Sequence, residues 1–380
     1  DALWKRHLVL EFHDILPGSS ITRVHREAEA EHAAVLDATL ALRDAALDAL
    51  GAQRRSPETA YAVPSGAVLD NGLLRATFDG RGCLVSLVDL AAGRELVAPD
   101  EALGTLRLHR DLPQYFDAWN IDRGTVDDFE RLDDAASVEV RRDGLRMTRT
   151  FGGSTATLTW RLPVDAARLE VEVSVDWHED GRLLSLAWPL DLRAPHVTAG
   201  VQHGLLQRPL HANTTWEQAR FEDWFHGYLH VAEGGCAAAV VTADAHGYGA
   251  TSTPRSDGGT TTTLRVSLLR APAYPDPEAD RGQHVQRFAL LVGADLESAT
   301  RAGHAMRRAL VPGAADEYDV EPAVSVAGPG VVVDAVKLAD DGSGDLVVRA
   351  HEALGARAVA TVRTSVPVSA YAVTDLLERA

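Results

Sequence analysis

Residues 169–177 alternate without a break. Leu169, Val171, Val173, Val175 and Trp177 are apolar, while Glu170, Glu172, Ser174 and Asp176 are polar. A period of two puts one set on each face of an extended chain, so this stretch reads as a half-buried strand. Runs at Leu73–Phe78, Cys83–Asp89, Ser137–Arg141, Leu145–Phe151, Ser154–Arg161, Leu183–Leu190, Ala237–Ala243, Thr261–Leu269 and Val285–Val292 read the same way. Turn signals such as Asp70-Asn71-Gly72 and Asp79-Gly80-Arg81-Gly82 separate them. So many short strands with tight turns predict a large antiparallel sandwich over residues 67–313. Asp295 is expected to cap a helix through Leu310, which Pro312 and Gly313 would end.

The two ends of the chain differ from this middle. Residues 1–52 change to a helical period. Leu3, Trp4, His7, Leu8 and Leu10 suit the end of one helix. Val24, Ala28, Val35, Leu36, Leu40, Leu47 and Leu50 form the apolar stripe of a longer one, with charge on its other faces. Ser19 and Ser20 are good N-cap residues for it. Two helices do not bury a core by themselves, so this pattern predicts a remnant of a helical bundle. A linker follows at 53–66, with Pro57 and Pro64. After a connector at 314–323, strands are expected at Val331–Leu338, Asp345–Glu352, Ala356–Thr364 and Val368–Val373, giving a small terminal β-domain over 314–380. The expected fold class is therefore mainly β.

Composition narrows the partners. The chain has 380 residues, of which 46% are hydrophobic, and a formal net charge of −18. An acidic surface repels phosphates, which argues against nucleic acid and anionic membranes as partners. No apolar run reaches the length of a membrane span. Cys83 and Cys236 are the only cysteines. Two cannot frame so long a chain, which suits a reducing, cytoplasmic setting with both as small buried hydrophobes.

Chemistry concentrates in Glu11-Phe12-His13-Asp14-Ile15-Leu16-Pro17-Gly18-Ser19-Ser20-Ile21. Pro17 and Gly18 halt the helix before them. His13 and Asp14 then offer a metal-binding nitrogen and a hydroxyl-accepting carboxylate from one backbone site. By residue type alone, such a pair is also an ordinary turn. The run as a whole, however, resembles the signature of the family-38 glycoside hydrolases, the retaining α-mannosidases of the vacuolar, cytosolic and bacterial branch. The resemblance implies that His13 is a ligand of an active-site zinc or cobalt ion and that Asp14 contacts mannose hydroxyls. It also implies a mutarotase-like sandwich, whose opening hairpin is matched by Asn71–Arg75, Leu87–Asp89 and Gly93–Leu96.

Three further runs carry the same resemblance. Tyr115-Phe116-Asp117-Ala118-Trp119-Asn120-Ile121-Asp122 has Asn120 where relatives usually have Asp. A Trp beside acids suits sugar binding, and Asp117 and Trp119 are candidates for it, although a loop packing one domain on another would read alike. Arg208–Glu222 is followed by His226 and His230. Their spacing would suit two ligands on a helix, but structural histidines, and an ion-pair network for Arg220 and Glu222, are the expectation. In Leu268–His284, three prolines stiffen a loop whose Arg270, Tyr274, Asp276 and Asp280 are candidate substrate or interface residues.

A retaining glycosidase needs two carboxyl groups about 5–5.5 Å apart. The resemblance places both, and the remaining metal ligands, in an N-terminal catalytic domain preceding an internal start at Asp1. No catalytic residue is expected in this chain, and alone it should not turn over. The implied partners are an α-mannoside, that catalytic domain and, compatibly, further copies of the protein. The rival readings are a non-catalytic carbohydrate-binding or structural sandwich, and a sugar lyase or epimerase with its own acid and base on a concave sheet.

Overall fold

A computed structural model of the chain describes residues 1–53, 59–309 and 318–379. Two helices open it, α1 (Ala2–Leu10) and α2 (Thr22–Leu50). They pack side by side and are tied by a two-pronged ion pair of Arg6 with Glu31. Leu10 and Ala28 are their only buried residues, whereas Trp4, Leu8, Val9, Phe12, Leu16, Leu36, Leu42 and Leu50 are exposed. Gly51 ends α2 in the left-handed conformation (φ 63°), which costs glycine nothing.

A four-stranded sheet follows, made of Val68–Asp70, Leu74–Phe78, Leu84–Asp89 and Arg94–Glu95. Its first turn works as the sequence suggests. Asn71 Oδ1 accepts from the backbone N–H groups of Leu73 and Leu74, and Gly72 takes φ 79°.

The sandwich proper has two antiparallel sheets. Across the larger, the order is Gly204–Pro209, His196–Val201, Tyr228–Glu233, Cys236–Thr242, Gly282–Val292, Arg168–Trp177, Ser154–Arg161, Gly144–Phe151 and Ser137–Arg141. Across the smaller it is Asp223–Trp224, Gly247–Pro254, Thr260–Arg270, Arg182–Leu190, Thr105–Arg110 and Phe129–Arg131. One continuous core lies between the sheets. Trp160, Trp177, Trp188, Tyr248, Phe225 and Phe288 are its largest fully buried side chains. The strand Arg168–Trp177 buries every second residue, as its alternation requires. Cys83 is buried, Cys236 is partly buried against the core, and both are free thiols.

Several sequence expectations need correction. The five longest strands that escaped the pattern are Thr105–Arg110, His196–Val201, Gly204–Pro209, Tyr228–Glu233 and Gly247–Pro254. Each contains Gly, Pro or His, and cross-strand partners rather than local preference make them strands. Residues 368–373 are not a strand. Tyr371 and Val373 are almost wholly exposed, and Thr361–Thr364, the preceding strand, already pairs with Val324–Ala327. The other terminal hairpin joins Val331–Leu338 to Leu346–Glu352. The helix expected through Leu310 spans Leu296–Ala309. Leu310, the break at Pro312 and Gly313, the boundary at 314 and Pro57 lie outside the described residues.

Candidate functional site

The turn after α1 folds back on Asp14. Ser20 Oγ donates to the Asp14 backbone carbonyl at 2.7 Å, and Ser19 Oγ to its carboxylate at 3.2 Å. This corrects the expected capping role: the N-cap of α2 is Ile21, with no side-chain cap. Ser19 instead holds the Asp14 carboxylate and Ser20 its backbone. Gly18, at φ 72°, closes the turn with its N–H on the Ile15 carbonyl. His13 stacks on Phe12, ring centres 4.4 Å apart, and its Nε2 lies 3.3 Å from Asp14 Oδ2. The His13 side chain remains 67% exposed, so its Nδ1 is available to an outside partner.

A second loop, 115–122, meets this turn. Phe116 adopts φ 57°, and its carbonyl accepts from the N–H groups of both Trp119 and Asn120 at 2.8 Å. Asn120 Nδ2 donates to the Tyr115 carbonyl. A carboxylate could not make that bond, so asparagine suits the loop here.

The loop is pinned from below by Arg270. Its Nε donates to Asp111 and its Nη2 to the carbonyls of Asp117 (3.0 Å) and Asn120. Asp117 Oδ2 in turn accepts from the backbone of Ala273 (2.6 Å) and Tyr274 (3.1 Å), joining the second loop to the third. Arg270 and Asp276, weighed as substrate contacts, are thus occupied within the protein. Asp276 accepts from Thr22 Oγ1 at 2.6 Å and lies 2.8 Å from His25 Nδ1, which fastens the third loop to the start of α2. Burial acts to raise its pKa, but the bonds from Thr22, His25 and the Glu278 N–H outweigh it and hold the carboxyl below the usual range. Asp280 (φ 58°) lies beyond the cleft and uses its carbonyl to accept from His284.

The three loops enclose an open cleft of about 490 Å³ whose lining includes Asp14, Ser19, Phe116, Asp117, Trp119 and Tyr274. Phe116, Trp119 and Tyr274 are 74%, 59% and 73% exposed. Large exposed rings around two carboxylates are a poor surface for water and a good one for a sugar. Such rings can meet the apolar C–H face of a sugar, and such acids can accept from its hydroxyls. Residues from three separate runs of the chain therefore meet in one place.

The histidines further along do not join this site. His226 lies in a loop and His230 on the strand Tyr228–Glu233, so the helical pairing does not exist. His230 Nε2 donates to the Ala294 carbonyl at 2.9 Å. Burial, helped by the adjacent Arg307, lowers the His226 pKa to about 4. Glu222 pairs with Arg265 and Ser267 rather than Arg220. Sequence reasoning also missed His109. Fully buried, it donates from Nδ1 to the Thr125 carbonyl and must therefore accept at Nε2 from Ser185 Oγ.

Residues 69–278, more than half of the chain, match the C-terminal domain of glycosyl hydrolases family 38. The chain belongs to that family. Residues 1–50 match the α-mannosidase middle domain, and residues 330–380 the family 38 C-terminal β-sandwich domain. The mouse protein named alpha-mannosidase 2C1 is 32% identical across 82% of this chain, and the human one 29% across 99%. A Saccharomyces cerevisiae protein named alpha-mannosidase is 23% identical across 99%. The chain spans 30%, 42% and 40% of those relatives' lengths, respectively. A crystal structure of an α-mannosidase from Enterococcus faecalis V583 shares the fold. Its TM-score is 0.63 at 14% identity, over 81% of this chain and 39% of that one.

Proposed function

We propose that this chain forms one wall of the substrate site of a metal-dependent retaining α-mannosidase acting on terminal α-mannosides of oligosaccharides or glycans. The observation that carries the reading is the convergence of Asp14, Asp117, Trp119 and Tyr274 on one open cleft in a family 38 protein. Asp14, oriented by Ser19 and Ser20, accepts hydrogen bonds from mannose hydroxyls. Trp119 and Tyr274 stack on the ring and exclude water from that face.

His13 is the metal ligand of this proposal. An imidazole beside a carboxylate suits a divalent ion such as zinc or cobalt, but four ligands are the rule for zinc. His13 would therefore hold the ion together with ligands from outside these 380 residues. When bound, the ion polarises and positions sugar hydroxyls as a Lewis acid. The nucleophile and acid/base are assigned to the same outside part, which would also cover the apolar residues of α1 and α2. No helix among the described residues is long and apolar enough to cross a membrane. A reducing, cytoplasmic setting fits the two free thiols.

The test uses 4-nitrophenyl α-mannoside. The chain alone, with zinc or cobalt, should release no nitrophenol. The same chain joined to the part that precedes it in its relatives should release it. In that longer protein His13→Ala should lose bound metal and activity together, and unchanged metal content would remove His13 from the site. The exposed aromatic and acidic cleft also favours a second reading, in which the chain binds carbohydrate without catalysis. That reading gains ground if the longer protein binds mannose but never hydrolyses the mannoside.

A further inference from the structure

A second group of ligating side chains does not include His13. His203, Asp334 and His351 each offer one ligand atom, and these atoms all lie within 4.8 Å of one another. Nδ1 of His351 is 2.8 Å and Nδ1 of His203 3.6 Å from Asp334 Oδ2, and the two rings stand edge to face at 4.9 Å. Zinc–nitrogen bonds of about 2.0–2.1 Å in a tetrahedron set neighbouring ligand atoms roughly 3.3 Å apart. The Nδ1–Oδ2 spacings bracket that distance.

Two of the three side chains reach the cluster through a local irregularity. His203 occupies the two-residue turn between paired Val201 and Gly204 and holds φ 59°. Glycine or asparagine takes that conformation at least cost, so histidine there is unfavoured by the backbone alone. Asp334 falls where the pairing of the terminal hairpin shifts register, between Val333 and Ala335. Such a bulge re-aims the side chain of the extra residue. His351 pairs with Val332 across the same hairpin. The cluster therefore joins the edge of the nine-stranded sheet to the terminal β-domain. Behind it, Arg307 faces Asp334 electrostatically.

We infer that His203, Asp334 and His351 bind a divalent transition-metal ion, zinc being the best match to two imidazoles and one carboxylate, and that the ion clips the terminal hairpin to the larger sandwich. Water completes the fourth position, because His203 and Asp334 are solvent-exposed. The site is separate from the one proposed at His13 and stands or falls without it.

Zinc alone is the probe, titrated calorimetrically into the metal-stripped 380-residue chain. One equivalent should bind. His203→Ala and His351→Ala should each weaken binding at least tenfold, and His13→Ala should leave it unchanged. Absence of stoichiometric binding would overturn the inference, as would equal binding by the His203→Ala/His351→Ala double variant or loss of binding in His13→Ala. Should either alanine variant misfold by circular dichroism, ¹⁵N imidazole spectra of the unaltered chain decide. Zinc should shift the His203 and His351 signals first, and shifts confined to other histidines would refute the site.

Discussion

The guanidinium of Arg270 reaches a carboxylate and three backbone carbonyls at once, and the carboxylate, Asp111, is 1% exposed. Removing the cation would leave that buried charge without its ion-pair partner, which costs about 3–5 kcal/mol. Arg270→Ala should lower the free energy of urea unfolding by that order and loosen the Trp119 loop, seen as a red shift of tryptophan emission. His109 acts through protons instead. Burial first, then the nearby Arg265, lowers its pKa from 6.5 to about 4. The native state thus binds fewer protons than the unfolded chain between these values. His109 therefore contributes stability that is present above pH 6.5 and lost as pH falls towards 4, about 3 kcal/mol in all. His109→Gln should shrink the difference in unfolding free energy between pH 7 and pH 4 by that order. Neither role was legible in the sequence. An arginine in a proline-rich loop and a histidine in a strand carry no local mark of the buried partners that define them.

At the scale of elements, α2 is held to the third loop chiefly at its first turn. Thr22 and His25 grip Asp276, and Arg26 adds an exposed pair with Glu278. An anion at a helix start is favoured by the free N–H groups there as well. Asp276→Asn should increase hydrogen exchange across residues 1–50 while leaving the sandwich protected. Because the folded pKa of Asp276 is depressed, its contribution is present above about pH 4 and is lost as pH falls through the lower folded value. Acid below that folded value should therefore release the helices in the unaltered chain, and exchange measured there should approach that of the variant. The helices and most strands were legible because an amphipathic period is written locally. The serines near Asp14 were misassigned because capping and turn closure draw on the same hydroxyl chemistry, and only the path of the backbone decides between them.

Across the whole molecule, apolar burial is uneven. The sandwich seals Trp160, Trp177 and Trp188 almost completely, while Trp4, Leu8 and Phe12 face solvent. Replacing Leu8 or Phe12 by Gln should change the stability of the chain by no more than about 0.5 kcal/mol, since an exposed side chain has little burial to lose. Leu10→Ala, at the buried end of α1, should cost about 2–5 kcal/mol. In the longer protein of the proposed function, the Leu8 and Phe12 substitutions should become costly. Thermal unfolding of each variant in both contexts measures this, and equal effects would mean that nothing covers the helices.

The sequence by itself determined the mainly β architecture, the alternating core strand and the family. Period, turn chemistry and long motif runs are local properties of the chain. Tertiary structure decided that residues near 14, 117 and 274 share one cleft, that Arg270 and Asp276 are spent in holding it, and that His203 meets Asp334 and His351. Those outcomes depend on strand order and on backbone irregularities. Distances between residues remote in sequence are fixed only when the sheets close.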